Sequence, residues 1–533
     1  VSTPFYDVII VGYGPVGAVL ANRLGHDGLR VLVVEQMAGI YDKPRAINID
    51  HEVMRALQSV GLADRVEPTT ILHPGTDFIG LDGRLIKVFA PLSPPYPLHW
   101  APNLMFVQPE FEPILRAGAE RYPCVTVRLS TRALAVEQDE DGVRLALRPV
   151  DGGAEETVSG RYLVACDGAA SPVRKQLGIA QDSLDFDEWW TVVDAWLQRP
   201  TPLPRRTTQF CWPSGPTTYV VGPGALRRWE LKLMPGETPE DHADADRLCA
   251  RLAPFVDPEA IELWRVATYR FHALVARHWR RGRIFLAGDA AHQMPPFLAQ
   301  GLCSGIRDVA NLGWKLSEVI AGALPAAILD SYEAERKPHI RHLVATTKEI
   351  GEIIGELDVE AARRRDARLG DALDAGTAVT VRQKLIPDLE AGLIARGPDG
   401  RPAPAAGSLF PQPVVREHAG GRALLDDLAP ERFLILTAGE TRRGAAAAAV
   451  MERLGAVHLH LGEAGVPPAL GEIAEEGELL RDWLAQRSAR AALVRPDKYV
   501  FGLASDSDGL ESLCRDLLAA VFGAPAHQQE ATP

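Results

Sequence analysis

The chain has 533 residues, a net charge of −13 and a composition that is 46% hydrophobic and 24% charged. That length exceeds a single core, so two to three domains are expected, and an acidic chain without a basic run or stripe excludes a nucleic-acid partner. The six cysteines at 124, 166, 211, 249, 303 and 514 form no CxxC pair and no metal-ligand spacing, which predicts reduced thiols in a cytoplasmic protein without a bound metal.

In chain order, Asp7-Val-Ile-Ile-Val reads as a buried strand that runs into Gly12-Tyr-Gly14-Pro15-Val-Gly17 and then an apolar helix, Ala18 to Leu24. A second strand, Arg30-Val-Leu-Val-Val, ends on Glu35, eighteen residues after Gly17. Strand, glycine turn, helix, strand and terminal acid together are the dinucleotide-binding βαβ unit. Gly12 serves the tight turn, Gly14 lets backbone approach a pyrophosphate at the helix N-terminus, and Gly17 lets helix and strand touch. Glu35 accepts from ribose hydroxyls. This apolar start lacks a basic leader and carries Asp7, so it is not read as a signal peptide, and no apolar run is long enough to span a bilayer.

Residues 1 to about 180 mix strands and helices. From about 185 to 275 the pattern turns to strand alternation, with strands at Trp190–Leu197, Thr217–Val221 and Trp229–Leu233 and a helix near Asp241–Leu252. Arg283 to Ala287 returns to a buried parallel-type strand, and helices follow through Asn311–Ile320 and from about Leu329 to Gly370. A Pro/Gly-rich boundary spans 396–407. Beyond it come strands at Phe433–Leu436, Val457–Leu461 and Tyr499–Leu503, with helices from about Arg442 and Gly509, so the tail reads as a small α/β domain.

Two further strand ends carry chemistry. Tyr162 to Cys166 ends in Asp167-Gly168, with Ser171 and Arg174 beyond; by itself Asp-Gly after a strand is an ordinary turn. Ile284 to Ala287 ends in Gly288-Asp289-Ala-Ala-His292, and Asp289 stands where ligands bind at the carboxyl ends of parallel strands. His292 reads as a structural hydrogen-bonding residue, since no partner acid is identifiable nearby.

With Pro44-Arg45-Ala46, Gln108-Pro109 and Arg307-Asp308…Asn311-Leu-Gly-Trp-Lys315, these motifs in this order resemble the class A flavoprotein aromatic hydroxylases, in particular the 3-(3-hydroxyphenyl)propionate and phenol hydroxylase group. The likeness covers residues 5 to about 345 strongly and the tail more loosely. It implies a Rossmann-like α/β FAD-binding domain in two parts, 1–184 and 276–395. An inserted antiparallel β-sheet substrate domain occupies 185–275, and a thioredoxin-like α/β domain without CxxC occupies 396–533. The tail holds only Cys514, so dimerisation, giving a homodimer, or structural support is its default role rather than thiol exchange.

The resemblance further implies non-covalent FAD, NADH or NADPH as co-substrate, O2, and a phenol hydroxylated through a flavin C4a-hydroperoxide. Gly12, Gly14, Pro15, Gly17 and Glu35 would hold the ADP part, Arg45 the pyrophosphate or flavin side, and Gln108 the ribityl or adenosine region. Asp289 would bind the ribityl or pyrophosphate portion, Asp167 and Gly168 belong to a motif tied to both FAD and the nicotinamide, and Pro296, Gly301 and Leu302 would approach the isoalloxazine. Cys303 stands where many relatives have Asn, and without an activating base it reads as a small packing residue.

No second GxGxxG exists; Gly222-Pro-Gly224-Ala-Leu-Arg227 fails at the third glycine. Gln209, Trp212, Tyr219 and Trp229 lie on or near the strands of the sheet block, the two tryptophans reading as core. Tyr219 is the one candidate for binding or deprotonating a phenol, and Asp50-His51 reads as either a helix start or part of the substrate mouth. The alternatives are a flavin oxidase on the same fold and an inactive FAD-binding module. A halogenase is disfavoured by the lack of a Trp-x-Trp-x-Ile-Pro stretch.

Overall fold

The run Phe5–Val11 is buried from Tyr6 onward and forms the centre of an eight-stranded sheet, as an apolar run covered on both faces should. In the computed structural model, which describes residues 5–418 and 420–523, it pairs in parallel with Val31–Val34 on one side and Glu156–Ala165 on the other. Val125–Arg128 extends the sheet beyond Val31–Val34, and Ile284–Leu286 extends it beyond Glu156–Ala165, both in parallel. The five parallel strands thus run in the doubly wound order 3-2-1-4-5. Order reverses between the first strand and the fourth, which opens a crevice at the ends that carry Gly12 and Cys166-Asp167-Gly168.

A second sheet has nine strands. Near one edge lies the long antiparallel pair Ile261–Ala276 and Gln181–Leu197, followed by Leu226–Lys232, Thr217–Val221 and Thr207–Phe210. Here the fold departs from an insertion confined to 185–275. Thr76–Ile79 joins Thr207–Phe210 in parallel, Leu85–Ala90 follows it, and Val379–Val381 closes the edge in parallel. The sheet is therefore mixed, and it borrows strands from far away in the chain.

Contacts divide the chain into two units. One holds the chain up to Pro94, Ala101–Val309 and Ile340–Pro387, and contains both sheets; the other holds Pro95–Trp100, Ala310–His339 and the chain from Asp388 on. Boundaries expected at 184, 275 and 395 do not coincide with this division. In the second unit, Leu434–Ala438 pairs in parallel with Val457–Leu461 across the helix Ala445–Leu454, and antiparallel with Ala491–Val494, which pairs antiparallel with Val500–Ala504. With Ser507–Phe522 as closing helix, this 2-1-3-4 order with an antiparallel third strand is the thioredoxin-like arrangement. Val414–Glu417, Arg422–Leu424 and Glu472–Glu475 extend its sheet to seven strands.

The second unit also buries an ion cluster. Lys315 Nζ lies 2.6 Å and Arg495 Nη2 2.7 Å from Glu335 Oε2, and Arg495 Nη2 lies 2.6 Å from Asp497. Burial pulls the Lys315 ammonium down to about 8, while the two cations hold Glu335 far below the usual carboxylate range. The cluster ties the helical stretch 310–339 to the turn between the last two strands of the thioredoxin-like sheet. That is a physical reason for grouping this stretch with the tail.

Candidate functional site

At the crevice, a Cβ on Gly12 (φ +102°) would sit 2.3 Å from the Cys166 carbonyl oxygen, and one on Gly17 would sit 2.0 Å from the Gly12 oxygen, so only glycine fits either place. Gly14 meets nothing within 4 Å. It is the N-cap of the helix Pro15–His26, whose first turn has no side-chain cap, so its N–H groups are left for a ligand. Glu35 accepts from the backbone N–H of Tyr13 and of Met37, both at 2.8 Å, which fixes its carboxylate on a cavity of about 520 Å³ shared with Gly14, Arg45, Asp167 and Gly168.

Arg45 lines that cavity and a second one, of about 380 Å³. Its loop is held from two sides. Gln108 Oε1 accepts from the N–H of Arg45 (2.9 Å) and of Ala46 (2.7 Å), while its Nε2 donates to Glu112 at 2.6 Å. Gln108 therefore orients the Arg45 loop, and it also lines both cavities. From the nine-stranded sheet, Arg228 donates to the Arg45 carbonyl at 2.9 Å and Arg265 donates to the Pro44 carbonyl. Both arginines pair with the fully buried Asp194. Sequence reasoning missed all three, because the pairings span 34 and 71 residues and follow no local motif.

Asp167 Oδ2 accepts from Val173 N–H at 3.1 Å; its buried Oδ1 has no hydrogen-bond partner, and burial pushes the carboxyl up. Asp289 sits in the turn Gly288–Ala290 and opens into the second cavity, where the surrounding protein also raises its carboxyl. His292, fully buried, meets Asp308 Oδ2 at 2.7 Å, and the same oxygen accepts from Gly288 N–H at 3.1 Å. His292 thus bolts the Asp289 turn to the helix Gly301–Ile320. Its partner acid, sixteen residues on, lies within the Arg307-Asp308 motif but is not marked as such by sequence.

The remaining candidates divide. Pro296, Gly301 and Leu302 line the second cavity, as do Gly14, Pro15, Gln108 and Gly168. Asp50 instead caps the helix His51–Ser59 and pairs with Arg307, so Asp50-His51 is a helix start away from the cavity wall. Cys303 is buried, its thiol pushed well up by burial. Tyr219 faces away from the cavity. It lies 5.6 Å from Trp229 between ring centroids, in a core with Val193, Leu231 and the helix residues Leu248 and Leu252.

The opposite face of those strands makes the cavity wall. Register pairs Glu230 with Thr218 and Thr218 with Gln209, a polar row crossing three strands, and all three line the cavity. Thr218 Oγ1 donates to Gln209 Oε1 at 2.5 Å. Burial pushes the Glu230 carboxyl up to about 7, with Arg228 4.0 Å away only partly opposing it. Beside this row stand His73, Thr207 and Arg382. Their signal is absent from the sequence, since Arg382 lies 309 residues from His73.

A bound FAD fits these residues. The open space over Gly14, the uncapped helix start, the unpartnered Asp167 Oδ1 and the cavity-facing carboxylate of Asp289 are what a diphosphate and polyhydroxyl ligand requires. Both cavities include Gly14, Pro15, Arg45, Gln108, Cys166 and Gly168, so an elongated ligand can reach from Glu35 to Asp289. Among the described residues no group of three or more His, Cys, Asp or Glu could hold a metal, and no helix is long and apolar enough to cross a membrane.

Comparison with known proteins agrees with this geometry. Residues 5–347 match the family described as FAD binding domain, and 407–520 match the HcaD C-terminal domain. The chain is 36% identical to a probable NADH-specific resorcinol 4-hydroxylase of Rhodococcus jostii (strain RHA1), over 98% of this chain and 96% of that protein. It is 34% identical to a 3-(3-hydroxy-phenyl)propionate/3-hydroxycinnamic acid hydroxylase of Mycobacterium sp. (strain JLS), over 93% and 89% respectively. The crystal structure of aklavinone-11 hydroxylase with FAD and aklavinone superposes with a TM-score of 0.76 at 26% identity, covering 96% of this chain and 99% of that one.

Proposed function

We propose, from the premise that this chain belongs to the FAD-dependent aromatic hydroxylases, that it hydroxylates a small single-ring phenol with NADH as reductant. The observation that carries the reading is the second cavity. It joins Asp289, Pro296, Gly301 and Leu302 on one side to the polar row Gln209–Thr218–Glu230 on the other, in about 380 Å³. The flavin edge held on the first side would then face a polar wall able to orient a phenol hydroxyl.

In this reading Gly12, Gly14 and Gly17 hold the pyrophosphate close to the helix start. Glu35 takes the adenosine ribose, Asp289 takes ribityl hydroxyls, and Asp167 offers its unpartnered oxygen to the same ligand. Arg45, held by Gln108, Arg228 and Arg265, brings a cation to the place where the two cavities meet. FAD, when bound, supplies two-electron transfer from NADH and the activation of O2, so that one oxygen atom enters the ring and the other leaves as water.

Glu230 does the proton work. A ring is activated toward electrophilic oxygen when its hydroxyl gives up a proton, and a carboxylate near pH 7 in affinity is matched to that task. Tyr219, behind the wall, has no part in it. The six cysteines are all free, which supports a reducing, cytoplasmic setting, and the thioredoxin-like unit serves as support or as a homodimer contact.

The test is product analysis with purified, FAD-loaded protein. Resorcinol or 3-(3-hydroxyphenyl)propionate, NADH and ¹⁸O2 are expected to give a ring product carrying one ¹⁸O atom, with NADPH a poorer reductant. Peroxide without labelled product would favour an oxidase, and inertness to both reductants would favour a binding module.

A further inference from the structure

His73 and Arg382 meet at the cavity wall in a way that the protein alone does not satisfy. His73 Nδ1 lies 3.0 Å from the Gly75 backbone nitrogen, whose N–H has only that lone pair to donate to. Burial, with Arg382 and Arg206 nearby, keeps the ring neutral. A neutral imidazole that accepts at Nδ1 carries its proton at Nε2, so the tautomer is assigned by that bond. Arg382 Nη1 stands 3.2 Å from the same Nε2, and it too can only donate. Two donors therefore converge with no acceptor between them, and the Thr207 hydroxyl, 3.4 Å from Nε2, is a long contact at best.

The rest of Arg382 sharpens the point. Its Nη2 donates to the Leu298 carbonyl and reaches Asn48 Oδ1 at 3.5 Å, which is a structural use. Its Nε is buried without a partner, and among the described residues no carboxylate lies within ion-pair distance of the guanidinium, which is only 7% exposed. By contrast, buried Arg228, Arg265 and Arg307 each have a carboxylate partner. A buried cation without a counter-ion is costly unless a ligand supplies the charge.

We propose that Arg382, with His73 Nε2–H and Thr207 beside it, is a substrate subsite for a second acidic oxygen, a carboxylate or a phenolic oxygen, on the ring whose first hydroxyl faces Glu230. The proposal rests on the phenol-hydroxylase reading and narrows it to phenols with two acidic groups. Arg382 is then a specificity residue rather than a loop anchor.

The test is calorimetric and flavin-absorbance titration of the FAD-loaded full chain with phenol, 3-propylphenol, resorcinol and 3-(3-hydroxyphenyl)propionate. In wild type, resorcinol over phenol, or the propionate over 3-propylphenol, is expected to bind at least about tenfold more tightly, the scale of one charge-assisted hydrogen bond. A preference within the first pair assigns a phenolic oxygen, and one within the second assigns a carboxylate. Arg382→Met is expected to shrink that ratio to less than about threefold while the affinity for phenol holds. If Arg382→Met does not fold, Arg382→Lys, which keeps the charge but loses the planar fork, is expected to cut the ratio at least threefold.

Absence of both preferences in wild type overturns the subsite, as does an equal loss of all four ligands or an unchanged ratio in the variant that folds. Product analysis separates the two claims. Preferential binding without hydroxylation of any phenol defeats the functional reading and leaves the subsite standing, whereas hydroxylation without preference does the reverse.

Discussion

Asp289 and His292 stand three residues apart and face opposite ways, one into the cavity and one into the core. Asp289→Ala should raise the Kd for FAD by about ten- to a hundredfold, the loss of roughly 1.5–3 kcal/mol from a charge-assisted hydrogen bond, with little change in apo-protein melting. His292→Ala leaves Asp308 buried without its imidazole and should lower the melting temperature first. Flavin fluorescence titration and thermal melts distinguish them, and equal effects on both readouts would contradict the assignment. Glu230→Gln should slow hydroxylation by about 10²–10⁴-fold while FAD still binds. It should also change stability against pH. The Glu230 carboxyl is raised from its ordinary 4.5 to about 7, so the folded chain holds a proton that the unfolded chain releases between those values. Stability present below about pH 4.5 is then lost as pH rises through 7, by on the order of 3 kcal/mol, and Glu230→Gln should flatten that loss in melts run from pH 5 to 8. The glycines and Glu35 were legible because their spacing is local. Glu230 and Tyr219 were not, because alternation separates odd from even residues without saying which set faces a ligand. The helix Ala245–Leu252 decides that here, by covering the Tyr219 and Trp229 face.

At the scale of elements, the clearest strands in the sequence were those of the parallel sheet, whose uninterrupted apolar runs need no partner to be recognised. Val457–Leu461 matches its expected range. The long strands Gln181–Leu197 and Ile261–Ala276 were seen only in part or not at all, because their outer halves are too exposed to show a sustained apolar face. The borrowed strands Thr76–Ile79, Leu85–Ala90 and Val379–Val381 acquire meaning only through partners far along the chain. Another long-range device is the clamp on the Pro44–Arg45 carbonyls, where Asp194 on one strand neutralises Arg228 and Arg265 on its two neighbours. Asp194→Asn should leave the buried Arg265 without a carboxylate and Arg228 with only Glu230, at 4.0 Å, and cost about 3–5 kcal/mol. Because the clamp holds the loop of Arg45, FAD affinity should fall as well. A double-mutant cycle with Arg45→Met checks the route: FAD losses that simply add would mean that the clamp does not act through Arg45.

Over the whole molecule, the Pro/Gly-rich stretch 396–407 looks like a place where the chain could be cut into independent parts, and the second unit shows why it is not. Lys315 and Glu335 precede that stretch by more than sixty residues, yet their ion cluster is completed by Arg495 and Asp497. Asn311 joins it, donating to Glu335 at 2.7 Å and to Asp497 at 3.0 Å. A chain ending at Ala395 keeps the whole nucleotide motif but loses Arg495, the cation that shares Glu335 with Lys315. It also uncovers Trp314, which packs edge-on against Phe433 at 5.7 Å. Breaking a buried ion network by removing one partner costs about 3–5 kcal/mol, a large part of a typical folding free energy of roughly 5–15 kcal/mol. The truncated chain should therefore melt well below the full one or fail to fold in soluble form, even though its nucleotide motif is intact. Arg495→Met in the full chain should reproduce a smaller part of the same loss, since Trp314 keeps its cover. Thermal melts of the three proteins, followed by flavin release and by circular dichroism, read both effects. A truncated chain that melts with the full one and retains FAD would show that the cluster contributes nothing to holding residues 310–339 in place.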